Sequence, residues 1–314
     1  MNLKWLILAV LVLVLVLFIV IFANQPAPLA KDSKQVLPQT LSKANNTSNV
    51  SNGSSAFDEN KTRPSTSPAE PAEKPAPATN ISKIRFATVA NWNLQIFGTK
   101  KAANAILMDT YARILGQYDV VFVQEIRDDS GTAFRDLCAR ISTHRCENSS
   151  RAGRTNSKEQ IGIIYRKNIS LVEMHDFNPD AADRWERPPI EAVFDFDGYR
   201  LRVYNIHTDP DSVPAELTAL EQVVNSSGNV AALGDFNADC SYYPRANRTQ
   251  FRNWTWVIPD GTDTTVRATN CTYDRIFLNA DAARELAGYG VYRTGINTTL
   301  SDHYLVWMNL SIRN

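Results

Sequence analysis

Short apolar runs that end abruptly in an acid, an amide or a histidine recur through residues 81–314. Val120-Val-Phe-Val-Gln124 leads into Glu125, and Val203-Tyr-Asn-Ile206 leads into His207. Val230-Ala-Ala-Leu-Gly234 leads into Asp235 and then Asn237. An earlier run leads to Asn93, and Ser301-Asp302-His303 stands just before the last run. Short apolar segments bounded by turn formers fit buried strands. The pattern predicts strands at Ile84–Val89, Val120–Val123, Gln160–Arg166, Ile190–Phe196, Tyr199–Ile206, Val230–Leu233, Arg275–Leu278 and Tyr304–Leu310. Asp197-Gly198 joins two of them as a hairpin turn. An amphipathic helix is expected around Lys101–Gly116, and another from Pro214 to about Asn225, since proline suits a first helical turn. This mixture of hairpins and crossovers predicts an α/β fold of two packed sheets with helices outside. Strands that end in polar residues on one side bring those residues into one cleft.

The rest of the chain is of different character. Trp5 to Ala23 form an unbroken apolar run of 19 residues behind Lys4. As a helix it would span roughly 28 Å, enough for a bilayer core. Residues 1–23 are therefore read as an N-terminal membrane anchor, with a cleaved signal peptide as the rival. Either places the remainder outside the cytoplasm, on a single-pass anchor or secreted. Residues 24–80 hold eight of the 15 prolines and one aromatic, Phe57, and read as a stalk that cannot bury a core. A flexible coil of that length reaches about 40 Å. Asn-x-Ser/Thr sequons cluster there and recur at Asn148, Asn253 and Asn297, as in a glycoprotein. The four cysteines all lie in 81–314, where an exported chain would pair them. Sequence proximity favours Cys138–Cys146 and Cys240–Cys271, out of three connectivities.

Charge narrows the function. Lys+Arg and Asp+Glu number 33 each, and 26 basic against 28 acidic groups fall in 81–314. A bulk cationic field for nucleic acid is excluded, so action on a polyanion needs a local site. Glu125, Asp235, Asn237 and Asp302 are hard oxygen donors suited to Mg²⁺ or Ca²⁺ rather than zinc. His207 and His303 beside them could transfer protons.

In this order the motifs resemble deoxyribonuclease I, within the endonuclease/exonuclease/phosphatase superfamily. The resemblance rests on Asn93-Leu-Gln-Ile-Phe-Gly98, Val123-Gln-Glu125-Ile-Arg127-Asp128, Lys158-Glu159, Asn205-Ile-His207, Gly234-Asp-Phe-Asn-Ala-Asp-Cys240, Thr269-Asn-Cys-Thr-Tyr-Asp-Arg-Ile276 and Ser301-Asp-His-Tyr304. It implies a four-layer αββα sandwich and metal-dependent hydrolysis of DNA phosphodiesters to 5′-phosphate and 3′-hydroxyl ends, by a monomer. Glu125, Asn93 and Asp302 would hold Mg²⁺ (or Mn²⁺), with Asp235 and Asn237 around metal and phosphate. His303, oriented by Asp274, would be the base, and His207, oriented by Glu159, the acid or phosphate stabiliser. Arg127 and Arg187 match contacts to the DNA backbone. Cys240 and Cys271 match the family's stabilising disulfide, whereas Cys138 and Cys146 match none. Asp263, Thr265 and Thr269 resemble a structural Ca²⁺ site, in which Arg267 replaces a threonine. A second Ca²⁺ site would involve Asp183, where Pro188 replaces an acid. Gln95 and Ser157 stand where the family has an Arg and a Tyr in the DNA minor groove. That departure keeps open a second reading, a superfamily phosphodiesterase or phosphatase acting on a phospholipid head group or wall polymer.

Overall fold

A computed structural model describes residues 85–312; the expected anchor in 5–23 and the stalk in 24–80 lie outside these residues. The elements in chain order are β1 (Arg85–Phe97), α1 (Thr99–Ala102), α2 (Ala105–Leu115), β2 (Val120–Ile126), α3 (Thr132–Arg140), β3 (His144–Asn148), β4 (Gln160–Arg166), β5 (Ser170–Asp176), β6 (Ile190–Phe196), β7 (Tyr199–His207), α4 (Val213–Val223), β8 (Asn229–Asp235), β9 (Thr255–Trp256), β10 (Asp274–Leu278), α5 (Ala280–Ala283), β11 (Leu286–Tyr292) and β12 (Leu305–Ile312). Two six-stranded sheets run β11-β12-β1-β2-β4-β3 and β5-β6-β7-β8-β10-β9. Only β1–β2 and β7–β8 pair in parallel, each across a helical crossover.

Alternation of side chains along the strands builds three apolar layers. Val89, Phe122, Ile163, Phe194, Val203, Leu233, Ile276 and Met308 fill the space between the sheets. Trp92, Val121 and Leu305 face outward to Met108, Tyr111 and Leu115 of α2 and Phe134 and Leu137 of α3. Tyr204, Ile206 and Phe277 face the other way, to Leu217 and Leu220 of α4. The result is the expected arrangement of two mostly antiparallel sheets with helices on the outer faces.

The structure departs from the strand and helix expectations in instructive places. The expected helix at 101–116 divides, because the Asn104 side chain caps a fresh start by accepting from the Ile106 and Leu107 N–H groups. β1 runs on to Phe97, beyond the expected Val89, since its polar Asn91 and Asn93 are buried. β3, β5, β9 and β11 have no counterpart among the expected strands; all four lie at sheet edges, and the exposure of β5 hides any apolar alternation. Both disulfides form, Cys138–Cys146 and Cys240–Cys271.

Candidate active site

The bulge of β1 and the ends of three strands meet at one edge of the sandwich: β1 brings Asn93, β2 brings Glu125, β7 brings His207 and β8 brings Asp235. Beneath them sits a buried polar layer between the sheets. Asn205 Nδ2 donates to Asn91 Oδ1 (2.9 Å) and to the Leu233 carbonyl (2.7 Å). Gln124 Nε2 donates to Asn205 Oδ1 (2.7 Å) and also to Asn91 Oδ1. Each member stands one or two residues before a candidate site residue, so this layer ties both sheets together directly under the site.

Strained backbone aims the next layer. Gln95, Ile96, Glu125 and Asn237 have φ of 48°, 50°, 60° and 47°, a region that costs non-glycine residues about 1 kcal/mol or more. Register shifts between Asn93 and Phe97 and between Val123 and Ile126 are the corresponding bulges. They turn the Glu125 carboxylate to accept from Asn93 Nδ2 (3.1 Å) and Ile96 N–H (2.8 Å). Asn93 Nδ2 also donates to Asp235 Oδ2 (2.9 Å), and its oxygen accepts from Gln95 N–H (2.8 Å). Asn93 thus orients two acids.

The histidines are held in mirrored fashion. His207 Nδ1 lies 2.6 Å from Glu159 Oε1, and His303 Nδ1 lies 2.8 Å from Asp274 Oδ2. Both direct Nε2 at one oxygen, Asp235 Oδ2, at 3.5 Å and 3.4 Å. Burial opposes charge on either ring, but the carboxylates win. His303 is raised to about 10, chiefly by Asp274 and Asp235, and His207 is raised by Glu159 and Asp235 against the nearby Arg187. Burial lifts Asp274 to about 6 despite the imidazole beside it. Burial likewise works against ionised Asp235 and Glu159, yet both are held below the usual range, Asp235 by the two histidines and Asn93, Glu159 by His207 and Arg187. At neutral pH His303 and Asp274 therefore form an ion pair, and Glu159 and Asp235 favour charge on His207 in the same sense.

Arg127 and Arg187 also lie here. Arg127 Nη2 is 2.9 Å from Glu125 and 3.6 Å from Glu159. Arg187 donates to the His207 carbonyl (2.9 Å) and the Thr208 carbonyl (2.7 Å). Asn237 is anchored by its amide on the Thr208 carbonyl (3.0 Å). Asp302 is nearby, with His303 Nε2 at 3.9 Å.

The expected calcium residues are brought together but turn toward one another. Thr265 Oγ1 donates to Asp263 Oδ1 (2.9 Å) and contacts the Thr269 carbonyl. Arg267 reaches Asp302 at 3.1 Å, so this departure from the family pattern places a guanidinium on a site acid. At the second expected site Arg154 binds the Asp183 carboxylate (2.9 Å) and Glu186 (3.3 Å), a side-chain cation among the acids. Glu125, Asp235 and Asp302 are hard oxygen donors, the chemistry a divalent cation needs, and Glu125 and Asp302 each carry a guanidinium, from Arg127 and Arg267. Among the described residues the acid and histidine atoms gathered within 4.8 Å of one another are those of Asp235, Asp274 and His303, and the close His303–Asp274 bond makes that trio a proton-handling group first.

Sequence reasoning missed Lys101 and Ser301. Lys101 Nζ donates to the carbonyls of Leu94 (2.7 Å), Gln95 (2.5 Å) and Leu300 (2.6 Å), clamping the strained loop to the Ser301–His303 turn. Burial lowers it to about 8, against the pull of Glu125 and Asp302. Ser301 Oγ donates to the Asn93 carbonyl (2.6 Å) and accepts from His303 N–H (3.0 Å). Lys101 has no signal in local sequence, since it acts across the fold; Ser301 lies in the Ser301-Asp302-His303 motif, but its bond to the Asn93 carbonyl has none.

Comparison with known proteins agrees with this geometry. Residues 90–303 match the model of the Endonuclease/Exonuclease/phosphatase family. Deoxyribonuclease-1 of Homo sapiens is 32% identical over 254 residues, covering 69% of this chain and 90% of the relative. Deoxyribonuclease-1 of Gallus gallus is 32% identical over 226 residues, covering 64% and 80%. Among solved structures, an endonuclease/exonuclease/phosphatase family protein from Bacteroides thetaiotaomicron superposes with a TM-score of 0.55 at 18% identity, over 74% of this chain and all of that one. D. rerio TDP2 complexed with a single-strand DNA product gives 0.51 at 16%, over 71% and 98%. With seven motifs in order, this fold and these relatives, the chain belongs to the endonuclease/exonuclease/phosphatase family of hydrolases, with deoxyribonuclease-1 among its homologues.

Proposed function

We propose that this protein is a divalent-metal-dependent DNA endonuclease of low sequence specificity. The observation that carries the reading is the pair of carboxylate-held imidazoles converging on Asp235 Oδ2 beside Glu125. His303 takes a proton from water as the water oxygen bonds to phosphorus. The bond from phosphorus to the 3′-oxygen breaks in line, and His207 delivers a proton to that oxygen. The products are a 5′-phosphate and a 3′-hydroxyl. A cation held by Glu125 and Asp302 would offset charge on the phosphate, lower the pKa of water and draw down the pKa of His303. Arg127 and Arg187 contact the flanking backbone, which positions DNA without reading sequence. Residues 1–23 anchor the chain, 24–80 form a stalk, and 81–314 act as a monomer outside the cytoplasm.

The test is plasmid nicking by the full-length chain in detergent, with Mg²⁺, Mn²⁺, Ca²⁺ and chelator. Metal-dependent nicking that disappears in His207→Ala and His303→Ala supports the reading; equal nicking by all three proteins sinks it. The exposed Ile96 beside Gln95 favours keeping one second reading, a phosphodiesterase of lipid head groups or wall polymer. Hydrolysis of such a substrate without DNA cleavage would select it.

A further inference from the structure

On the outer face of the β5–β9 sheet a cleft of about 560 Å³ is lined by Arg245, Arg248, Arg252, Trp256 and Asp260. Its floor is a fixed network. Arg248 binds Asp239 (2.9 Å) and Asp260, and buried Arg275 reaches Asp260 at 2.9 Å. Both arginines donate to the Ala238 carbonyl at 3.1 Å, one residue beyond Asn237. Their guanidiniums lie 5.1 and 5.3 Å from the Trp256 ring centre, which keeps the wall rigid. Above this floor Arg245 is 82% exposed and touches Asp260 at 3.3 Å, while Arg252 is exposed with no acidic partner among the described residues. Four guanidiniums thus face two carboxylates, leaving positive charge that internal pairing does not use.

The cleft is on a track from the site. Asp274 and Arg275 are neighbours on β10 and point to opposite faces of the sheet, one to His303 and one to the cleft. Across the top, the His303 ring is followed by Tyr273 at 6.4 Å and Tyr242 at 5.5 Å from ring to ring. Tyr242 is half exposed, and Arg245 follows three residues later. A nucleic-acid strand advances about 3.4 Å per nucleotide along its axis, so the two ring-to-ring steps from His303 to Tyr242 span a few nucleotides at most.

We propose that the cleft is an accessory phosphate subsite, which takes the backbone of a bound DNA strand a few nucleotides from the scissile bond through Arg245 and Arg252. It rests on the DNA reading above for the identity of its ligand. Rigid Arg248 and Trp256 shape the pocket, and the two exposed arginines bind the phosphates. In a chain with no net charge, such a local cluster supplies grip that a bulk field does not.

The test uses the full-length chain carrying His303→Ala, to prevent cleavage. It is produced in a host that adds no N-glycan, because Asn253 in a sequon adjoins Arg252. Binding of a fluorescent DNA duplex is followed by anisotropy over a salt series. Arg245→Glu with Arg252→Glu should weaken binding at least about tenfold. It should also reduce the slope of log K against log salt by about 0.9 for each phosphate no longer neutralised. Arg135→Glu with Arg284→Glu makes the same change in net charge at residues 72% and 70% exposed elsewhere, and should leave the slope alone. An unchanged slope in the first pair, or an equal weakening in the control pair, overturns the subsite. Calorimetry with inorganic phosphate forms the second arm. Phosphate binding abolished by the first pair, with duplex affinity untouched, would assign the cleft to free phosphate and also overturn it. Failure of plasmid nicking with pocket-dependent DNA binding intact would refute the endonuclease reading and leave the subsite standing.

Discussion

At the residue scale, the two histidine–carboxylate pairs make different demands from an ordinary surface histidine. His303 is protonated through neutral pH because Asp274 and Asp235 outweigh the cost of burying its charge. The folded pKa is above the unfolded one, so the His303 proton contributes stability that is full below about 6.5 and is lost as pH rises toward 10. In Asp274→Asn, NMR titration of the metal-free protein should show the imidazole losing its proton at clearly lower pH. DNA cleavage by that variant should fall by about 10²–10⁴, the usual range for positioned acid–base groups. An unshifted titration would show that Asp274 does not govern the ring. Glu216 behaves in the opposite sense from most carboxylates. It is 1% exposed, and burial raises it from 4.5 to about 7, although Glu186 N–H and Asp209 N–H favour its charge. The native state therefore holds this proton longer, and stability falls as pH rises from about 4.5 to about 7. Urea unfolding should show that slope, up to about 1.4 kcal/mol per pH unit, in the wild type and not in Glu216→Gln. Superimposable profiles would remove the assignment.

At the scale of strands, the site depends on how closely neighbours approach. β7 and β8 place His207 opposite Asp235. A Cβ on Gly234 would meet the Ile206 carbonyl oxygen at 2.0 Å, a clash with backbone that cannot be relieved by rotating a side chain. Gly234→Ala should destabilise by several kcal/mol and displace both groups, measurable as a lower denaturation midpoint and loss of nicking. The amide layer beneath is a second such constraint. Asn205→Leu would leave Gln124 and the Leu233 carbonyl without their partner, at about 1–3 kcal/mol for each group. Cleavage should fall even where the variant remains folded, because Asn205 lies two residues from His207 on the same strand. Central strands with apolar runs were legible from sequence. The edge strands β3 and β5 were not, because half-solvated positions carry no clean alternation.

For the molecule as a whole, the two disulfides are unequal. Cys240 and Cys271 close a separation of 31 residues, and Cys138 and Cys146 one of 8. Loop-closure entropy gives about 4 kcal/mol for the first and about 2.5 kcal/mol for the second. Thermal denaturation should therefore fall further in Cys240→Ser with Cys271→Ser than in Cys138→Ser with Cys146→Ser. The longer bridge also joins the segment just after Asn237 to the segment just before Asp274, so its removal should reduce cleavage more. Equal stability losses would contradict the loop-length argument.

The order of polar residues at the ends of apolar runs determined the α/β class and picked out most of the candidate site: Glu125, His207, Asp235, Asn237, Asp302 and His303. Those signals are local, because a strand that is buried and then emerges at an edge must change from apolar to polar within one or two residues. Pairing across the chain was beyond that logic. The orientation of both Nε2 atoms at Asp235, the Lys101 clamp and the amide layer depend on residues up to about two hundred positions apart. So does the pairing of Arg267 with Asp302, where the sequence showed only a cation in place of an expected threonine. Burial decided the rest: only when the two sheets close do Asp274 and Glu216 lose water, and their proton affinities follow from that loss.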